Sequence, residues 1–340
     1  MIKVLIIDDS LFMRELLKKG LDEDPNLMVV GTAADPYEAK EKIIKYRPDV
    51  LTLDIEMPKM DGITFLHKLM PQYPLPVVML SSVTAKVFEA LNAGAIDFIE
   101  KPTTDNRLTA ESLLKELRVK IKIASTADVS HWKSRKKRQV KIQKLGNTKG
   151  IDLIAIGAST GGTEAISDVI KTFPADIPGT VIVQHMPPVF TGLYADRMNK
   201  ECVVEVKEAK TGDLVLPGRV LIAPGGYHLQ IKKSGASVMV EVINGGKVNG
   251  HKPSVDVLFN SVAKHIGGNA LGVILTGMGS DGAKGLLAMR KAGARTLGQD
   301  RESSVVYGMP KVAKDIGGVE RELPLQHIPS VIFAIVRGKR

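Results

Sequence analysis

The chain has 340 residues, 44% of them hydrophobic and 25% charged, with a single cysteine, Cys202. That length accommodates about two domains with cores of their own. No apolar run approaches the ~20 residues of a membrane span, and one cysteine excludes an internal disulfide and fits a reducing compartment.

The net charge of +10 suggests nucleic-acid binding until it is located. Residues 107–149 hold 13 Lys or Arg against three acids, Glu111, Glu116 and Asp128, and so carry the whole excess. Met1-Ile2-Lys3-Val4-Leu5 runs straight into an apolar strand followed by Asp8 and Asp9, unlike a secretory signal, so the expected location is the cytoplasm.

Residues 1–105 alternate short apolar runs with segments of helical period. Strands are predicted at 3–7, 28–33, 50–53, 76–80 and 95–99, with amphipathic helices such as 11–21 and 63–69 between them. Five such units predict a parallel sheet covered by helices on both faces, with chemistry at the carboxyl ends of its strands. A helix over about 110–123 closes this unit. Residues 125–148 then lose all apolar period and carry Lys133-Ser134-Arg135-Lys136-Lys137-Arg138, which reads as a flexible, self-repelling tether. A second α/β alternation follows, with strands expected at 151–156, 180–183, 203–206, 220–223, 238–243 and 270–275. The expected architecture is α/β throughout: a first domain over 1–105, a helix and basic linker over 106–149, and a second domain over 150–340. The second is a doubly wound, mostly parallel sheet.

In the first domain Asp8 and Asp9 end the first strand, Asp54 the third, Ser81 the fourth, and Lys101-Pro102 the fifth. Three carboxylates converging on one pocket repel one another, so such a pocket holds a hard cation such as Mg²⁺. With Lys101, that cation can neutralise a phosphoryl group carried by a carboxylate, Asp54 being the central candidate. Ser81 can donate its hydroxyl to the same group.

Ile7-Asp8-Asp9-Ser10, Asp54-Ile55-Glu56-Met57-Pro58 with Asp61-Gly62, Ser81-Ser82 and Lys101-Pro102 together resemble a response-regulator receiver domain. The resemblance implies a flavodoxin-like five-stranded sheet and Asp54 as acceptor of phosphate from a histidine kinase. It further implies Mg²⁺ bound by Asp8, Asp9, Asp54 and the main-chain carbonyl of Glu56, and a switch formed by Ser81, Phe98 and Lys101.

In the second domain Gly157-Ala158-Ser159-Thr160-Gly161 lies between a predicted strand and a helix, the spacing of a nucleophile elbow. Such a turn presents its serine near free helix N–H groups that favour an oxyanion. Three histidines are available as its base: His185 after Val181-Ile182-Val183-Gln184, His228 after Pro224-Gly225-Gly226-Tyr227, and His251 before Lys252-Pro253. Thr276-Gly277-Met278-Gly279-Ser280-Asp281-Gly282 supplies an acid, Asp281, that can orient a histidine, and main-chain donors, Met278 among them, for an oxyanion.

The same loop also spells the dinucleotide fingerprint through Gly277, Gly279 and Gly282, with Asp300 at about the right distance. An ionised Asp281 against a pyrophosphate would cost about 4 kcal/mol at ~4 Å, which ranks that reading second. A nucleic-acid-binding output acting through the basic linker is a third reading, opposed by the placement of the charge outside both folds.

Gly157 to Gly162, Gln184-His185-Met186, Ala223-Pro224-Gly225, Gly250-His251-Lys252-Pro253-Ser254-Val255-Asp256 and Gly277 to Gly282 resemble the chemotaxis protein-glutamate methylesterases. The resemblance implies a triad of Ser159, His185 and Asp281. It places His251 and Asp256 as substrate-loop or structural residues. It implies chemoreceptors as substrates, a chemotaxis histidine kinase as phosphodonor, and glutamine deamidation as a second activity. The esterase chemistry is expected to need no cofactor. The protein is expected to act as a monomer at receptor clusters, without membrane insertion or nucleic acid.

Overall fold

A computed structural model describes residues 1–82, 86–102, 109–130, 132, 145–146, 150–235 and 237–338. The basic run over 133–138 and the 135–144 stretch on which a nucleic-acid reading rests lie outside the described residues. The chain divides into two compact units, Met1–Lys137 and Arg138–Arg340.

The first unit runs β1 (Ile2–Ile7), α1 (Leu11–Asp22), β2 (Leu27–Ala33), α2 (Pro36–Tyr46), β3 (Val50–Asp54), α3 (Gly62–Leu69), β4 (Val77–Ser81), α4 (Val87–Ala93), β5 (Asp97–Glu100) and α5 (Ala110–Ala124). Its sheet has the order β2-β1-β3-β4-β5, with every pairing parallel. β3 and β4 are buried at every residue because helices cover both faces, which is why their sequences are apolar runs and not alternations. Short polar side chains start the helices where the sequence leaves a strand. Ser10, Asp35 and Asp61 accept from first-turn N–H groups of α1, α2 and α3, and Thr109 and Ser112 form a capping box on α5.

The second unit runs β6 (Leu153–Ala158), α6 (Gly162–Ile170), β7 (Gly179–Gln184), α7 (Phe190–Glu201), β8 (Glu205–Glu208), β9 (Arg219–Ile222), β10 (His228–Ser234), β11 (Ser237–Ile243), α8 (Val255–His265), β12 (Ala270–Ile274), α9 (Ala283–Lys291), β13 (Arg295–Gln299), α10 (Met309–Asp315), β14 (Arg321–Leu323) and α11 (Ile328–Val336). Seven strands form a parallel sheet in the order β14-β13-β12-β6-β7-β9-β8. β10 and β11 stand apart as an antiparallel hairpin, so residues 238–243 do not continue the α/β alternation. The hairpin lies on α8, where Ser261 Oγ accepts from Ile231 N–H at 2.9 Å. Leu229, Ile231 and Val240 join Leu258, Phe259 and Val262 in the core of this unit. No helix among the described residues is long and apolar enough to cross a membrane.

Candidate active site and acidic pocket

β6 opens the second unit, and its sheet neighbours β7 and β12 come from widely separated parts of the chain. The connections therefore diverge at β6, where an open α/β sheet leaves a crevice at the strands' carboxyl ends. Ser159 follows β6, His185 follows β7, and Asp281 stands in the loop after β12. The register sets Ala158 beside Gln184 and Gly157 beside Ile274. Past the strand ends, His185 N–H still donates to Ala158 O (3.2 Å) and Ser159 N–H to Thr276 O (3.0 Å). Gly277 allows this closeness, since a Cβ there would lie 2.7 Å from Ser159 Cβ. Gln184, buried, donates from Nε2 to the carbonyls of Ser159 (2.9 Å) and His185 (3.2 Å), tying the two turns together.

His185 Nε2 lies 2.8 Å from Asp281 Oδ2. The Asp281 carboxylate also accepts from Val255 N–H (2.6 Å), Ser254 Oγ (2.7 Å), Asn249 Nδ2 (2.8 Å) and Asp256 N–H (3.3 Å). Two of these donors belong to the first turn of α8, whose exposed N–H groups and dipole favour an anion. Burial alone would raise the Asp281 pKa, but hydrogen bonds from His185 and Asn249 and the charge of His185 hold it well below the usual carboxylate range. The acid is ionised at any working pH. His185 Nδ1, the other ring nitrogen, is buried, and neither it nor the Ser159 hydroxyl makes a hydrogen bond among the described residues. The structure brings Ser159 and His185 to neighbouring strand ends without a hydrogen bond between their side chains.

The carbonyl of Gly277 accepts from Gly308 N–H (3.1 Å) and Met309 N–H (2.8 Å). Those bonds fix the Gly277–Met278 peptide and turn the Met278 N–H to its opposite edge. Its side chain is exposed.

The three candidate histidines separate. His228 is buried at the head of β10, with Ser254 N–H donating to Nδ1 (3.2 Å) and Nε2 facing Gly246 O (2.8 Å), a structural role. His251 stacks flat on His185, ring centroids 3.7 Å apart and planes inclined by 9°. Asp256 ties α8 to α9 by accepting from Gly285 N–H at 2.6 Å. Asn249, at φ 52°, was not among the sequence candidates; its amide bridges Asp256 and Asp281. Gly277 and Gly282 serve packing, since a Cβ at Gly282 would lie 2.5 Å from Val255, and Gly279 serves its turn at φ 86°. Asp300 is spent on its own turn, accepting from Ser303 N–H and Oγ at 3.0 and 2.6 Å. This arrangement disfavours a dinucleotide.

Burial, then the neighbouring His185, push the His251 pKa down from the usual 6.5 to about 4. Between those values the unfolded chain takes up a proton that the folded chain refuses. Stability should therefore fall as pH drops through that window. Thermal midpoints at pH 7 and pH 5 check this: the loss should be smaller in His251→Phe than in the parent chain.

Val189, which precedes α7 in the loop leaving His185, is held at φ 73°, ψ −47° and is 67% exposed. A β-branched residue there costs about 1–3 kcal/mol, more than the ~0.5–1 kcal/mol entropic cost of glycine. Val189→Gly should thus stabilise the second unit by about 1 kcal/mol in denaturant unfolding.

In the first unit, Asp8 and Asp54 are buried and Lys101 Nζ bridges them at 2.7 and 2.6 Å. The carboxylates of Asp8, Asp9 and Asp54 offer ligand atoms all within 4.8 Å of one another, the compact oxygen set a divalent cation needs. Burial pushes the Asp54 pKa up to about 6 despite Lys101. Burial also opposes the Lys101 charge, yet Asp54 and Asp8 keep its pKa above the ordinary value. The two directions agree physically: one ammonium serves two carboxylates, so negative charge is in excess and a cation fits. Ser81 and Phe98 are buried at the end of β4 and within β5.

The model for CheB methylesterases matches residues 154–332, more than half of the chain. The chain belongs to the CheB methylesterase family. The model for response regulator receiver domains matches residues 4–112, so this CheB-family chain carries a receiver ahead of its catalytic part. The protein-glutamate methylesterase/protein-glutamine glutaminase of Syntrophotalea carbinolica is 55% identical, with 100% of this chain and 99% of the relative covered. A second such protein, from Syntrophomonas wolfei, is 56% identical, with 98% of each covered. The crystal structure of the Thermotoga maritima CheB methylesterase catalytic domain aligns at a TM-score of 0.54 and 36% identity, covering 55% of this chain and 99% of that one.

Proposed function

We propose that this chain is a phosphorylation-activated serine esterase that hydrolyses glutamate γ-methyl esters on chemoreceptors and deamidates receptor glutamines. The observation that carries the reading is the buried Asp281 carboxyl bonded to His185, one strand from Ser159. Ser159 Oγ attacks the ester carbonyl carbon while His185 Nδ1 takes its proton. Loop N–H groups, that of Met278 among them, hold the oxyanion as the C–O bond to methoxide breaks. His185 returns the proton, so methanol leaves. Water then attacks the acyl-enzyme by the same route, releasing glutamate and restoring Ser159. Asp281 stays ionised and steadies the imidazolium.

The division proposed is a receiver over 1–105, a helix and linker over 106–149 and a catalytic domain over 150–340. Asp54 receives a phosphoryl group from a chemotaxis histidine kinase, and Lys101 screens its charge. Mg²⁺, which Asp8, Asp9, Asp54 and the Glu56 carbonyl would hold, neutralises phosphoryl oxygens when bound. Ser81 and Phe98 form the switch that reports the phosphate. The protein works as a monomer in the cytoplasm, at receptor clusters, without inserting in the membrane.

The test is methanol release from methylated receptor membranes with full-length protein, Mg²⁺ and a small phosphodonor. Release is expected. No release from verifiably phosphorylated protein would overturn the esterase reading.

A further inference from the structure

The geometry points to His251 as a positioning residue for the esterase. We propose that its flat, uncharged ring is the platform on which His185 carries the proton taken from Ser159. This rests on the assignment of His185 as the base under Proposed function.

A hydrogen bond from Nε2 to Asp281 fixes one atom of the His185 ring but leaves the ring free to pivot about it. A second ring lying flat against it at 3.7 Å removes that freedom. His251 is itself pinned. Val248 and His251 exchange N–H···O bonds at 3.0 and 2.9 Å across a tight turn, and Asn249 within that turn donates to both Asp281 and Asp256. On the other side, the Lys252 carbonyl accepts from Gly226 N–H at 3.2 Å, and Ser254 Oγ donates to Asp281 at 2.7 Å. One short segment thus sets the acid and the platform against the same imidazole.

The platform matters because the reaction creates a positive charge on His185. The face of a neutral aromatic ring attracts such a cation, whereas a protonated neighbour would repel it. The groups around His251 keep it neutral. His185 from the loop after β7 and Lys247 from the segment after β11 both oppose its protonation. Asp281 from the loop after β12 favours it, but that carboxylate is already engaged by His185, Asn249, Ser254 and α8. Burial adds to the opposition, and His251 titrates only near about pH 4.

The experiment measures kcat, KM and the pH profile of methanol release by the full-length protein, phosphorylated with a small phosphodonor. The variants are His251→Phe, His251→Arg and His251→Gln. Phenylalanine keeps a neutral stack and should lose no more than about threefold in kcat. The planar guanidinium of arginine keeps the stack but sets a charge against the imidazolium. It should lower kcat roughly a hundredfold at nearly unchanged KM, and move the acid limb of the profile to lower pH. Glutamine, neutral but not aromatic, should lose about tenfold. Equal losses for Phe and Arg, with an unmoved acid limb, would reduce His251 to a space-filler and overturn the proposal. Should the Arg variant fail to fold, the Phe–Gln contrast decides alone: equal kcat values for those two also overturn it. Ser159→Ala run alongside separates the two levels of the argument. Turnover surviving in Ser159→Ala refutes the esterase reading itself, whereas its loss leaves the platform to stand or fall on the His251 variants.

Discussion

Ser159→Ala is expected to lower esterase turnover by about 10⁴-fold or more while leaving both units folded. The nucleophile acts as one unit with its base and acid, so removing it abolishes the covalent route and leaves only what the oxyanion donors and binding supply. Folding should be untouched, because the Ser159 hydroxyl makes no hydrogen bond among the described residues. Its backbone is held instead by Thr276 and Gln184. Asp281→Asn should cost a comparable ~10⁴-fold, since an amide cannot stabilise the imidazolium and favours the wrong tautomer. The two variants differ in stability. Asp281 accepts five hydrogen bonds in a buried site, and an amide can accept at only one of its two atoms. Asp281→Asn should therefore also unfold earlier, by about 1–3 kcal/mol for each buried donor left unpaired. Steady-state methanol release and denaturant unfolding on both variants check the pair.

A fragment beginning at Gly150 is expected to be active with no phosphodonor. The seven-stranded sheet, the β10–β11 hairpin and the core formed by Leu153, Val181, Leu221, Phe259 and Leu286 all lie within the second unit. The fragment therefore retains every group assigned to the chemistry. If the receiver restrains that unit until Asp54 is phosphorylated, deleting it removes the restraint. Moving the full chain from 1:99 to 99:1 in favour of the active state takes about 5.5 kcal/mol of differential stabilisation. The fragment should accordingly exceed the unphosphorylated full chain by at least tenfold. A fragment that is folded by circular dichroism yet inactive would contradict restraint by the receiver.

The first unit was legible almost in full. β3 and β4 are buried at every residue and β1 over most of its length, so they appear in the sequence as apolar runs, and the polar residues at or just past the ends of β1, β3, β4 and β5 are Asp8, Asp54, Ser81 and Lys101. The second unit was legible where the same rule holds, at β6, β7, β9 and β12. It was not legible at β14, a three-residue polar edge strand, or at β10, where Lys232, Lys233 and Ser234 mask the alternation of Leu229 and Ile231. Position singled out Ser159 and Asp281, and the family resemblance supplied the choice of His185. Nothing local distinguishes Asn249 from an ordinary turn residue before glycine, because its partners Asp256 and Asp281 meet it only in the fold. The stack of His251 on His185 joins residues 66 positions apart and leaves no periodic trace.

The measurement closest to the central claim compares methanol release by the full-length protein and by Asp54→Ala, each with Mg²⁺ and with or without a small phosphodonor. Release that rises with the phosphodonor in the parent chain and stays at the basal rate in Asp54→Ala is the expected result. An equal rise in both would contradict control through Asp54, and a parent rate indifferent to a phosphodonor that demonstrably labels Asp54 would contradict any coupling between the two sites.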